Sequence, residues 1–170
     1  HQQNEYYPYY QSNNLFNFFV NLTKAIIFNR PLVLLDTDLS ATEISSLAEN
    51  KLNEPVALPH IQFNTFDEVI AALQSSTSEI TIFTSGTTGQ PKKVIHSIST
   101  LTRSVRCGEK YREQVWAYAY NPTHMAGLQV FFQAFENKNP LVNVFNSSRK
   151  EVYQKITAHN ITHLSATPTF

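Results

Sequence analysis

The chain has a single cysteine in 170 residues, Cys107, which excludes an internal disulfide framework and fits a reducing compartment. No apolar run approaches the length of a membrane span, and the first residues lack the charged-then-apolar order of a secretory signal. The cytoplasm is therefore the expected location, with no membrane partner. Net charge is also missing, since 13 basic residues balance 13 acidic ones, so nothing favours long-range attraction to nucleic acid or anionic lipid. A local basic site stays open. There is no internal repeat and no low-complexity linker. The length suits one compact domain or lobe over 1–170, or a piece of a larger one. With His1 in place of an initiator Met, and Phe170 closing a strand-like run, both ends read as cut.

The remaining sequence alternates helix and strand signals. Residues 1–12, rich in tyrosine and glutamine, show no clear period. Between Asn14 and Phe28 the residues Leu15, Phe16, Phe18, Phe19, Leu22, Ile26 and Ile27 recur at helical spacing, which predicts a helix with one wide buried face. Leu32 to Leu35 reads as a buried strand stopped by Asp36. Capping-box spacing occurs at Ser40–Glu43, Thr65–Glu68 and Ser148–Glu151, each ahead of an apolar series, Ile44, Leu47 and Leu52 forming the first. Asn53 to Asn64, with Pro55 and Pro59, reads as a loop or irregular strand. Further strands are expected at Glu79–Phe83, Lys93–His96, Trp116–Tyr120, Leu141–Phe145 and Ile161–Ala166. Ser97 to Arg112 is expected to be a helix weakened by Gly108, and Met125 to Phe135 a largely buried one. The alternation implies an α/β fold with a mixed or mostly parallel sheet.

One stretch concentrates polar chemistry: Thr84-Ser85-Gly86-Thr87-Thr88-Gly89-Gln90-Pro91-Lys92. Small residues let backbone approach a polyphosphate closely, hydroxyls and amides donate to its oxygens, and a lysine adds charge. It is not a Walker loop, because no Gly-Lys-Ser/Thr follows at the required spacing. On composition alone such a cluster between strands is more often a plain polar turn.

Position by position, the same nine residues resemble the phosphate-loop signature of the adenylate-forming superfamily, which includes acyl- and aryl-CoA synthetases. Pro122-Thr123-His124-Met125-Ala126-Gly127-Leu128-Gln129-Val130 resembles that family's His-x-x-Gly segment, and Ile161 to Pro168 resembles a later family segment that ends in proline. The wording after His124 is similar to o-succinylbenzoate-CoA ligases of menaquinone synthesis. Two departures stand out. Lys93 replaces the usual glycine after the loop, and the region before the loop is short. The chain also stops before the family's adenine-binding stretch, its ribose-binding Asp and the small domain carrying the catalytic Lys. The resemblance thus implies the N-terminal part of the large domain of such an enzyme, with this chain alone inactive. A truncated, non-catalytic nucleotide- or acyl-binding module is the alternative.

What the resemblance implies is an acid-CoA ligase that joins a small carboxylic acid to ATP, releases pyrophosphate and passes the acyl group to CoA. Thr84, Ser85, Gly86, Thr87, Thr88, Gly89 and Lys92 would bind the nucleotide phosphates, with Mg²⁺ sharing the charge and no residue assigned to the metal. Lys92 and His124 are the candidate catalytic residues, and His124 and Gly127 the candidate substrate-binding ones. Each has a plainer reading: Lys92 as a turn lysine, His124 as a helix cap, Gly127 as a packing contact. His96 and His163 read as core or strand-end histidines, and Cys107 as a small buried apolar residue.

Overall fold

The structure is a computed structural model that describes residues 4–84 and 91–167. Two compact units divide the chain, residues 1–100 and 101–170. Both are α/β.

In the first unit, β1 (Glu5–Tyr6) pairs antiparallel with β4 (Val56–Ala57). β2 (Tyr9–Tyr10), β3 (Leu32–Leu34), β5 (Glu79–Thr84) and β6 (Lys92–Ser97) form a four-stranded sheet in the order β2-β3-β5-β6. The first three strands are parallel and β6 returns antiparallel to β5. The sheet is therefore mixed. β5 is interior, and its Ile80, Thr81 and Ile82 are buried. β6 is an edge and leaves Ile95 exposed.

Helix α1 (Leu15–Ile27) starts where the side chain of Asn14 accepts the Asn17 amide. Phe18, Phe19, Leu22, Ala25 and Ile26 form its buried face. Phe16, counted by spacing into that face, is instead 71% exposed, because it points off the stripe shared by residues 18, 22 and 25. The end of α1 is tied to the start of β5 by Ser76 and Ser78, whose hydroxyls donate to the Ile26 and Ala25 carbonyls at 2.6 and 3.1 Å.

The start signals of the next helices hold. Ser40 caps α2 (Ala41–Leu47) with a reciprocal box to Glu43. Thr65 accepts from Glu68 at the head of α3 (Phe66–Gln74), but the Glu68 carboxylate reaches back to the amide of Asn64 rather than to Thr65. The apolar side expected of α2 is present at Ile44 and Leu47, which are half-buried, but it is shorter than expected. The helix ends at Leu47, before Leu52, and none of its residues is fully buried.

The expected helix over Ser97 to Arg112 is also corrected. Only α4 (Ile98–Thr102) and a 3-10 turn at Glu109–Tyr111 form. Gly108 sits at φ 133°, outside the helical region. The intervening backbone is held by the second unit's main helix, α5 (Met125–Glu136), and the residues after it. The Arg106 amide donates to Gln133 Oε1, and the Arg106 carbonyl accepts from Gln133 Nε2 and Asn137 Nδ2, all at 2.8–2.9 Å. Asn139 likewise donates to the Tyr111 carbonyl. These amides satisfy backbone groups that a helix would otherwise pair internally. Cys107 lies in this segment and is exposed, contrary to the buried reading.

The second unit is a three-stranded parallel sheet in the order β8-β7-β9, from β7 (Trp116–Tyr118), β8 (Leu141–Asn143) and β9 (His163–Ser165). α5 connects β7 to β8, and α6 (Arg149–Ala158), boxed by Ser148 and Glu151, connects β8 to β9. Val152 of α6 joins Ala117 and Val144 in a buried cluster. The chain runs from the central strand outward, then crosses back over it. With right-handed crossovers, that reversal puts α5 and α6 on opposite faces of the sheet.

Candidate functional site

Antiparallel pairing of β5 and β6 runs from Glu79↔Ser97 to Thr84↔Lys92. Two of the nine signature residues thus stand directly opposite each other at the end of the hairpin. Thr84 and Lys92 are both exposed, so a hydroxyl and an ammonium are presented where residues 85–91 join the two strands. Side chains alternate across a strand, so this pair shares its face with Ile82↔Val94, while Lys93 pairs with Phe83 on the other. Lys93 is exposed as well. Ser85, Gly86, Thr87, Thr88 and Gly89 lie outside the described residues.

His124 and Gly127 belong to the second unit, at the head of α5. Asn121 builds the entry to that helix. Its Oδ1 accepts from both the amide and the hydroxyl of Thr123, and its carbonyl accepts from the His124 amide at 3.2 Å. His124 occupies the N-cap position, yet its ring makes no cap hydrogen bond. The ring is exposed. Gly127 is buried one turn later, and a Cβ there would fall 2.5 Å from the Tyr118 hydroxyl and nearer still to the Asn121 carbonyl oxygen. Its lack of a side chain is what lets α5 approach the end of β7.

The topology adds residues that spacing did not reveal. In the order β8-β7-β9 the chain reverses direction across the sheet at β7 and β9, and crevices for ligands form at the carboxyl ends of strands beside such a reversal. Beyond the end of β7 stands Tyr120, whose hydroxyl lies 3.3 Å from that of Ser165 at the end of β9. His124 follows the same end of β7. Nothing in the sequence signalled the Tyr120–Ser165 pair, because strand order is not encoded in local periodicity. At the amino end of the same strands, the His163 ring lies tilted against Trp116 with ring centroids 5.1 Å apart, and its Nδ1 lies 2.8 Å from Thr162 Oγ1. It is a strand-end histidine. Partial desolvation, and secondarily the Glu136 carboxylate, push the thiol of the exposed Cys107 above its usual pKa. Among the described residues, no group of three or more His, Cys, Asp or Glu is placed to hold a metal ion.

Known proteins resemble this chain in sequence and in fold. The peroxisomal trans-cinnamate:CoA ligase of Petunia hybrida is 30% identical over 92 residues, 51% of this chain and 16% of that protein. The o-succinylbenzoate-CoA synthetase of Bacillus subtilis, solved with its acyl-adenylate intermediate, superposes with a TM-score of 0.66 at 19% identity, covering 95% of this chain and 49% of that one. A luciferase-like enzyme of the mealworm Zophobas morio gives 0.65 at 19% identity over 95% of this chain and 47% of its own. The chain thus spans about half the length of these solved relatives. At such identities the two superpositions establish the fold alone. The model of the AMP-binding enzyme family matches residues 27–170, the greater part of the sequence and all of the signature. The chain belongs to the AMP-binding, adenylate-forming enzyme family.

Proposed function

We propose that the chain is the N-terminal part of the large domain of an ATP-dependent acid-CoA ligase, cytoplasmic and AMP-forming, which activates a carboxylic acid as its adenylate and transfers the acyl group to CoA. The observation that carries this reading is the Thr84↔Lys92 pair closing the family's signature between β5 and β6. A hydroxyl and an ammonium, with no carboxylate between them in the signature, are donors suited to polyphosphate oxygens. Such donors would hold the leaving pyrophosphate and offset the charge that develops on it. Mg²⁺ bound through nucleotide phosphates and water needs few protein carboxylates, which accords with the donor set here.

His124 and Gly127 are assigned to the acyl side. The ring of His124 is exposed and not engaged in capping, and Gly127 keeps the helix head close to Asn121. An aromatic acid is the proposed substrate class, with o-succinylbenzoate as the specific candidate. It rests on the wording after His124, on the o-succinylbenzoate-CoA synthetase of Bacillus subtilis and on the cinnamate ligase. The test is ATP–pyrophosphate exchange by the full-length protein with a panel of aromatic and aliphatic acids. Acid-dependent exchange that falls on Lys92→Ala supports the reading, and no exchange with any acid overturns it.

A further inference from the structure

A cavity of about 550 Å³ opens on the first unit between one face of α1 and the strand segment before it. Residues 16, 17, 20, 21 and 24 of α1 line it, a helical stripe adjacent to the buried one. The opposite wall is the segment around β2, and β2 is the far edge of the sheet from β6. Three strand spacings, roughly 14 Å, separate those two edges. The cavity is therefore distinct from the hairpin end that carries Thr84 and Lys92.

Two side-chain amides fix the β2 wall in the same way. Asn21 exchanges both of its hydrogen bonds with the backbone of Tyr7, at 2.8 and 3.0 Å. Asn53 does the same for Gln11, at 3.1 and 3.2 Å. The wall is thus rigid before any ligand arrives, which lowers the entropy lost on binding. Between the two clamps, Tyr7 and Tyr10 stack with centroids 5.5 Å apart. On the helix side Phe16 exposes most of its ring, and the neighbouring Asn17 spends only its backbone amide on the helix cap. Lys24 closes one end, held by the Glu5 carbonyl at 3.0 Å.

We propose that this cavity binds a planar heteroaromatic ring with a mixed donor–acceptor edge, of the aminopurine nucleoside type. Aromatic faces from Phe16 and Tyr7 supply stacking. The Asn17 amide offers a donor and an acceptor side by side, the complement of an aminopurine edge. Lys24 and Glu5 suit the polar sugar end. The volume lies within the range of small-molecule sites.

Adenosine titrated into the full-length, ¹⁵N-labelled protein tests this without requiring activity. The Asn17 side-chain amide signal, assigned by its loss in Asn17→Ala, moves saturably with adenosine and not with benzoate. Phe16→Ala weakens the adenosine response of that signal roughly tenfold or more, as expected for one lost stacking face. Because both residues lie on the exposed side of α1, the variants keep the fold. An Asn17 signal that stays fixed while adenosine saturates the protein overturns the proposal. So does an equal response to benzoate, or a response unchanged by Phe16→Ala.

Discussion

Thr84 and Lys92 are cross-strand partners, the pair at which the β5–β6 hairpin meets residues 85–91. The pairing places the hydroxyl and the ammonium on one face with backbone rigidity behind them, since β5 is itself pinned by β3 on its other side. On the proposed function, the Thr84 hydroxyl and the Lys92 ammonium would hold the nucleotide phosphates here.

Lys92→Ala in the full-length protein is expected to lower ATP–pyrophosphate exchange by roughly 10–100-fold, the usual loss for one charge-assisted hydrogen bond. Unfolding midpoints in urea should stay within error of wild type, because Lys92 is exposed. Lys93→Ala, on the opposite face, should leave exchange within about twofold. Equal losses from the two variants would mean that the face assignment does not govern function.

Much of this framework was legible in the sequence because its causes are local. Asn14, Ser40, Thr65 and Ser148 cap helices through hydrogen bonds spanning three residues, and an eye on spacing finds them. β1 and β2 were not legible. Each is two residues long, and their pairing partners lie at Val56–Ala57 and Leu32–Leu34, far along the chain. Residues 103–112 misled for a related reason: their backbone partners Gln133, Asn137 and Asn139 come from a later helix and its exit. The candidate residues of the two units divide in the same way. Thr84, Lys92, His124 and Gly127 are marked by a motif, whereas the Tyr120–Ser165 approach exists only because β7 and β9 are neighbours.

Acid should weaken two helix starts. Glu43 and Glu151 have pKa values below the ordinary carboxylate range because the side chain and backbone N–H of Ser40, and of Ser148, hydrogen-bond to the charged form. A group whose folded pKa is depressed contributes stability above its unfolded value, and that contribution disappears as pH falls through the folded pKa. Stability in urea should therefore decline on acidification below about pH 4.5, the ordinary value for these groups. The double variant Glu43→Gln, Glu151→Gln should show a flatter slope in that window. An unchanged slope would mean that the boxes do not persist in solution.

Alkali acts through Tyr118, fully buried at the end of β7. Burial raises its pKa far above the ordinary phenol value of 10.0. Here the folded pKa lies above the unfolded one, so the stabilisation is complete below pH 10 and is lost as pH climbs from there toward the folded value. Burial raises Tyr6 and Tyr9 in the same direction. Urea midpoints between pH 9 and 11 should fall in wild type and fall less steeply in Tyr118→Phe, with the remaining slope due to the other tyrosines. Identical slopes would show that Tyr118 does not drive the alkaline transition.

Gly127→Ala tests how α5 meets β7. The added methyl would lie 2.5 Å from the Tyr118 hydroxyl and closer to the Asn121 carbonyl oxygen, inside contact distance of both. Overpacking of this kind costs roughly 1–3 kcal/mol, so the urea midpoint should drop clearly. Tyr118→Phe in the same chain removes one of the two obstacles. The other is backbone, fixed by the turn in which the Asn121 carbonyl accepts from His124, and it cannot swing away. The double variant should therefore recover only part of the lost stability. Full recovery would identify the hydroxyl as the sole obstacle and place the Asn121 turn among the parts that yield. Because His124 is held by that same carbonyl, a turn displaced by the methyl should also move the His124 amide resonance in Gly127→Ala, and should leave it displaced in the double variant.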